Sequence, residues 1–218
     1  MPADFAAMLA TMKEEAHEPS EATAFTRHIV SALRYYRPKR FRFSEKTFSF
    51  STVAGQQEYN GGVGGVPADV MELDWLRHVI GTVSRDLQRK SLIEFRVFES
   101  GAIASNYPEI FCWHHNRLLL WPTPAGVYTV KGDYFFDATR DGATGVVIDG
   151  TNTALTNDYF VVAEELLRTR ALYSWAMGRA GWDEFATRMK LLNTESERSF
   201  NLERDLIAFN GMQAAWNL

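Results

Sequence analysis

The chain has 218 residues, 46% of them hydrophobic and 13% aromatic, with a net charge of -4. At that length about 70% of the unfolded surface can be buried, so a core forms without covalent staples and disorder is excluded as the dominant state. A single cysteine, Cys112, excludes a disulfide scaffold. The longest apolar run, Phe5–Ala10, is far short of the roughly 20 residues of a membrane span. An isoelectric point near 5.8 argues against a basic-patch nucleic-acid binder. The N-terminus carries Asp4 and no basic segment, so it does not read as a secretory signal, and the expectation is a soluble, intracellular protein at the time of folding.

Phe5, Met8, Leu9 and Met12 recur at helical spacing and predict a helix over residues 4–16. Glu18-Pro19-Ser20 starts a second, with Phe25, Ile29, Leu33 and Tyr36 on one stripe and a stop at Pro38. From Phe41 the period changes to two: Phe41 and Phe43, then Phe48 and Phe50, read as strand positions. A glycine-rich loop, 61–65, precedes a strand carrying Met71, Leu73 and Trp75. Ser91 and Glu94 have capping-box spacing for a short helix with Leu92, Phe95 and Phe98, closed by Gly101. Strands follow at Ile110–His114 and Arg117–Trp121, around Asn116, and over 127–136. Asp149-Gly150 predicts a hairpin between Val146–Ile148 and Thr151–Leu155.

Asn157 or Asp158 then caps a helix running to about Met177. Its residues Leu166, Leu167, Leu172, Tyr173 and Trp175 leave almost no polar arc, so they pack a bundle or an inter-subunit contact. A last helix starts near Trp182, with Phe185, Met189 and Leu192 as its stripe. The pattern predicts an α+β fold: N-terminal helices (1–40) and C-terminal helices (157–209) form one bundle. A β-rich insertion (41–156) carries a central sheet or sandwich, and 210–218 form a tail. Closing a bundle across so long an insertion is cheap, because loop entropy grows only logarithmically.

Phe50-x-Thr52-x-x-Gly55-x-x-x-Tyr59, Pro67-x-Asp69, Leu118-x-Leu120-x-Pro122-x-Pro124, Tyr128 and Tyr134 follow in this order between the helices. In this the chain resembles the head-to-tail adaptor (connector) proteins of tailed bacteriophages, over roughly residues 20–205. The resemblance implies a homo-oligomeric ring, typically of twelve copies, assembled in the host cytoplasm beneath the portal protein. It would extend the channel through which double-stranded DNA passes without specific binding, and carry a downstream tail or nozzle protein. The glycine-rich loop and the connection over 137–157 have no counterpart in that pattern. The resemblance also implies that C-terminal residues, here Met212, Trp216 and Leu218, reach the portal.

Arg34, Arg37, Lys39, Arg40 and Arg42 place five cations in nine residues with no acid among them. They read either as a solvated helix end favoured by the dipole or as a contact for an acidic partner surface, the portal being favoured over DNA. Cys112, His114 and His115 lack zinc-ligand spacing, and ordinary sheet packing explains them. Asp137, Asp141, Asp149 and Asp158 lack a calcium-loop pattern and read as a solvated acidic connection. Glu14-Glu15, Glu164-Glu165 and Asp183-Glu184 are neighbours on helices rather than facing pairs, and Glu164 is set to pair with Arg168. No nucleophile elbow or phosphate-binding loop is present. The expectation is therefore a structural protein with no catalysis, cofactor, metal or membrane contact. A receptor- or glycan-binding tail component, using aromatics around Trp113 and Trp121, is the alternative.

Overall fold

The computed structural model describes residues 4–100, 107–152, 154–177 and 179–216, with side chains of the last helix described as far as Leu202. The chain divides into two compact units. One comprises residues 1–44, 138–141 and 146–218; the other comprises 45–137 and 142–145. The fold is α+β, as the periodicities indicate. Residues 41–44 and 146–156, which the sequence pattern places in the insertion, cluster with the helices instead.

The first unit is helical: α1 (Phe5–Glu15), α2 (Ala22–Tyr36), α4 (Asp158–Val161), α5 (Glu164–Ala176) and α6 (Asp183–Trp216). The Asp4 side chain caps α1 by accepting the Ala7 N–H. Residues 18–20 form the turn before α2, which begins at Ala22 rather than at Pro19. Helix α5 is the centre of this unit. Leu166, Leu167, Thr169, Ala171, Leu172, Trp175 and Ala176 are buried, Tyr173 is half-buried, and within the helix only Glu165 is fully exposed. α1, α2, α4 and α6 all pack on it. The near-absent polar arc is thus used up by neighbours in the same unit, and apolar surface on α5 is no argument for a second subunit.

The helix expected over 157–177 is broken. Asn157 caps the single turn α4, Val162 closes it, and Ala163 starts α5. Phe41 and Phe43 are not strand residues: a 3-10 turn at Arg42–Ser44 stacks their rings, 5.6 Å apart, in a cluster with Tyr159 and Phe200. Aromatic packing won over the period-two pattern there. Among the described residues, the hairpin expected at Asp149-Gly150 does not form. The Asp149 carboxylate accepts from the Thr151 N–H and hydroxyl, closing a local turn, and pairing is limited to a bridge between Arg140 and Val147.

The second unit holds two four-stranded sheets. In one, β1 (Glu45–Ser51), β8 (Thr129–Phe136), β3 (Val70–Ile80) and β4 (Val83–Asp86) are antiparallel neighbours in that order. In the other the order is β2 (Glu58–Asn60), β7 (Arg117–Trp121), β6 (Ile110–His114) and β5 (Gln88–Arg89), with β5 parallel to β6. Two irregularities in β3 shift its register against β8, so Leu73 and Leu76, three residues apart, are both fully buried. His115 and Asn116 join β6 to β7 with φ of 47° and 61°, the left-handed pair of a tight hairpin. Helix α3 (Leu92–Glu99) carries the expected Ser91–Glu94 capping box. Its Phe95 packs with Ile110, Cys112 and Leu119.

Candidate interaction surfaces

At the C-terminal end of α2, Tyr35 is 39% exposed while Tyr36 is fully buried. The alternation follows from the helix turning one face to α5 and α6. The Tyr35 ring lies 4.1 Å from the Lys39 ammonium and 3.7 Å from the Arg170 guanidinium, a cation on each contact. Lys39 also donates to the Tyr35 hydroxyl at 2.9 Å and pairs with Glu197 of α6 at 3.0 Å. Of the five-cation stretch, then, Lys39 is an internal tether. Arg34, Arg37 and Arg42 are exposed and Arg40 is half-buried. Arg170 was not singled out by the sequence reading; its distance along the chain hid its place beside Tyr35.

Beneath this surface, Asn193 of α6 sits in the helix seam next to Met189, where an apolar residue is expected. Its amide donates to the Tyr36 hydroxyl (2.6 Å), the Leu166 carbonyl (3.0 Å) and the Thr169 hydroxyl (3.3 Å). Burial pushes the Tyr36 phenol well above its ordinary value. The innermost stripe of α6 is Ala186, Met189 and Asn193, with Phe185, Leu192 and Ser196 half-buried beside it.

Helix α6 has 34 residues against 15 in α2 and 13 in α5. It does not end near Asn210 but continues from Phe200 to Trp216, about 24 Å at the standard rise. Met212 and Trp216 are on that helical backbone. Their side chains, and Leu218 altogether, lie outside the described residues.

Cys112 is buried, and burial raises its thiol above the ordinary value, the opposite of an activated or metal-ready thiolate. The His114 and His115 rings meet edge to face at 4.1 Å. Among the described residues no group of three or more His, Cys, Asp or Glu is arranged to hold a metal ion. Asp137 and Asp141 are 3% and 4% exposed, whereas Asp149 is exposed and Asp158 half-buried, so the acidic connection is solvated only in part. Asp141 accepts the Thr156 N–H, tying down the stretch that leads to α4. Glu164 pairs with Arg168 at 2.7 Å as the spacing predicts, and Arg168 also bonds Glu15 of α1. Among the described residues, no helix is long and apolar enough to cross a membrane.

The chain thus combines a helical bundle drawn from both of its ends with a two-sheet β unit. Over residues 3–206 the chain matches the SU10 adaptor protein family, and it belongs to that family of phage head-to-tail adaptors. No curated protein matches it. Its class is that of a structural component of the virion.

Proposed function

We propose that this chain forms a closed ring, of twelve copies, beneath the portal protein, extends the DNA channel and hands the capsid vertex on to a tail or nozzle protein. Assembly takes place in the host cytoplasm, and DNA passes without specific binding. The observation that carries this reading is family membership across nearly the whole chain. A head-to-tail contact repeated by rotation closes into such a ring.

The portal contact is assigned to the far half of α6 and to the basic end of α2. Helices of 15 and 13 residues can flank about 22 Å of a neighbour, which leaves much of a 34-residue helix for something else. Met212 and Trp216 lie on that length, and a tryptophan is a typical anchor for a partner's pocket. Arg34, Arg37 and Arg40, with Lys39 holding α6 in place, give the same end a basic rim suited to an acidic portal surface.

The test is to mix the chain with its cognate portal and image the product by electron microscopy. A portal-bound ring is expected. Removing 210–218 should abolish co-assembly while leaving helical content nearly intact, and undiminished binding would remove the C-terminus from the contact. A cognate head-to-tail assembly that lacks this polypeptide would end the proposal.

A further inference from the structure

Between its two sheets the second unit holds a cavity of about 310 Å³. His78 of β3 and Arg85 of β4 line it from one sheet, and Gln88 of β5 and Trp121 of β7 from the other. Glu109 and Phe98 complete the wall. The volume is at the lower end of small-molecule sites, enough for a ligand of one or two rings.

The Trp121 and Phe98 rings lie 5.4 Å apart, inclined at 47°, and give the cavity an aromatic side. Arg85, Gln88 and Glu109 are exposed polar side chains at its margin. His78 is 2% exposed. With its Nδ1 bonded to the Pro108 carbonyl at 2.9 Å, that nitrogen carries the proton and Nε2 is left as an acceptor. Nε2 is buried and has no hydrogen-bond partner, a deficit that native interiors seldom tolerate. Formal charge around the cavity is balanced: Arg85 offsets Glu109, and the Asp86 carboxylate at the edge is held by Arg77 at 2.9 Å.

We propose that this cavity is a binding site for a neutral, polyhydroxylated ligand of one or two sugar rings. The apolar face of a pyranose fits against the Trp121 ring, and its hydroxyls meet Arg85, Gln88 and Glu109. With one cation and one anion at the margin, the wall favours neither sign of charge, and an uncharged ligand is the simplest occupant.

The full chain, 15N-labelled, is titrated with glucose, galactose, rhamnose and N-acetylglucosamine separately, each to about 50 mM, the range that resolves a millimolar site. The expected result is saturable shifts with at least one sugar, confined to amides around β4, β5 and β7. Trp121→Ala and Arg85→Ala should each weaken them at least fivefold. Arg85 is exposed on an edge strand, so that variant keeps the test valid if Trp121→Ala fails to fold. No saturation with any of the four, shifts unchanged in Arg85→Ala, or perturbation of these amides by a portal or tail protein instead of by sugar would overturn the proposal.

Discussion

The Asn193 side chain donates to the Tyr36 hydroxyl at 2.6 Å, joining α6 to α2 through two groups that are each at least 95% buried. Tyr36 in turn donates to Glu197 at 3.1 Å, one turn further along α6. A polar residue in an apolar seam fixes one register, because sliding the helix by a turn strands its donors.

Asn193→Ala removes the donor to Tyr36 and to the Leu166 carbonyl and leaves a small void. Loss of about 2 kcal/mol in urea unfolding is expected. Asn193→Leu restores volume but no donor, and should recover less than half of that loss. Wild-type stability in Asn193→Leu would show that packing alone holds the helix.

Asn157 has two tasks at once. Its Oδ1 accepts the Tyr159 N–H as the cap of α4, and its Nδ2 donates to the Ala138 and Arg140 carbonyls at 2.7 and 3.1 Å. Asn157→Ala should therefore cost about 2–3 kcal/mol, more than an ordinary cap. Asn157→Asp keeps the cap acceptor but sets a buried carboxylate oxygen against the Ala138 and Arg140 carbonyls, so it should cost at least as much as Asn157→Ala. A smaller loss in Asn157→Asp would assign the main effect to the cap.

Gly132 sits in β8 between β1 and β3, where an added Cβ would come within 2.3 Å of Leu76 and 2.7 Å of the Trp75 carbonyl. Backbone oxygen cannot step aside as a side-chain end can. Gly132→Ala is expected to lower stability by about 3 kcal/mol, read as the midpoint of chemical unfolding.

Asp69 is fully buried in the β unit, accepting from the Tyr134 hydroxyl at 3.0 Å with Lys46 3.6 Å away. Burial raises its carboxyl above the ordinary 3.8, against the pull of Lys46 and of the Tyr134 bond. Between 3.8 and that raised value the folded chain holds more protons than the unfolded one, so this residue's contribution declines as pH rises through the window. Asp69→Asn cannot titrate. The stability of wild type relative to Asp69→Asn should fall as pH rises above 3.8, until the folded-state carboxyl has also lost its proton. A difference independent of pH would contradict this.

Long elements with one dominant period were legible from sequence. The Phe25–Ile29–Leu33–Tyr36 stripe, the Ser91–Glu94 box and the two strands around Asn116 all reappear in the structure with little displacement. Where the reading failed, a tertiary contact outweighed a local pattern: Phe41 and Phe43 alternate like strand residues but stack with Tyr159 and Phe200. Strands β4 and β5 carry almost no apolar residues, so periodicity had nothing to register. Asn193 did leave a trace, a polar residue four positions after Met189 in an apolar seam. The pairing of Tyr35 with Arg170 left none, since only the fold brings them together.

The helical unit takes its residues from both ends of the polypeptide, with α5 and α6 supplied last. On the ribosome, α1 and α2 must therefore wait, with Phe25 and Leu33 uncovered, until the final third has emerged, whereas the β unit is complete by residue 145. Premature termination between residue 145 and α5 would release a chain with a finished β unit and an orphaned pair of amphipathic helices. Closure of the helical unit thus waits on α5 and α6, and α6 is the helix proposed to engage the portal.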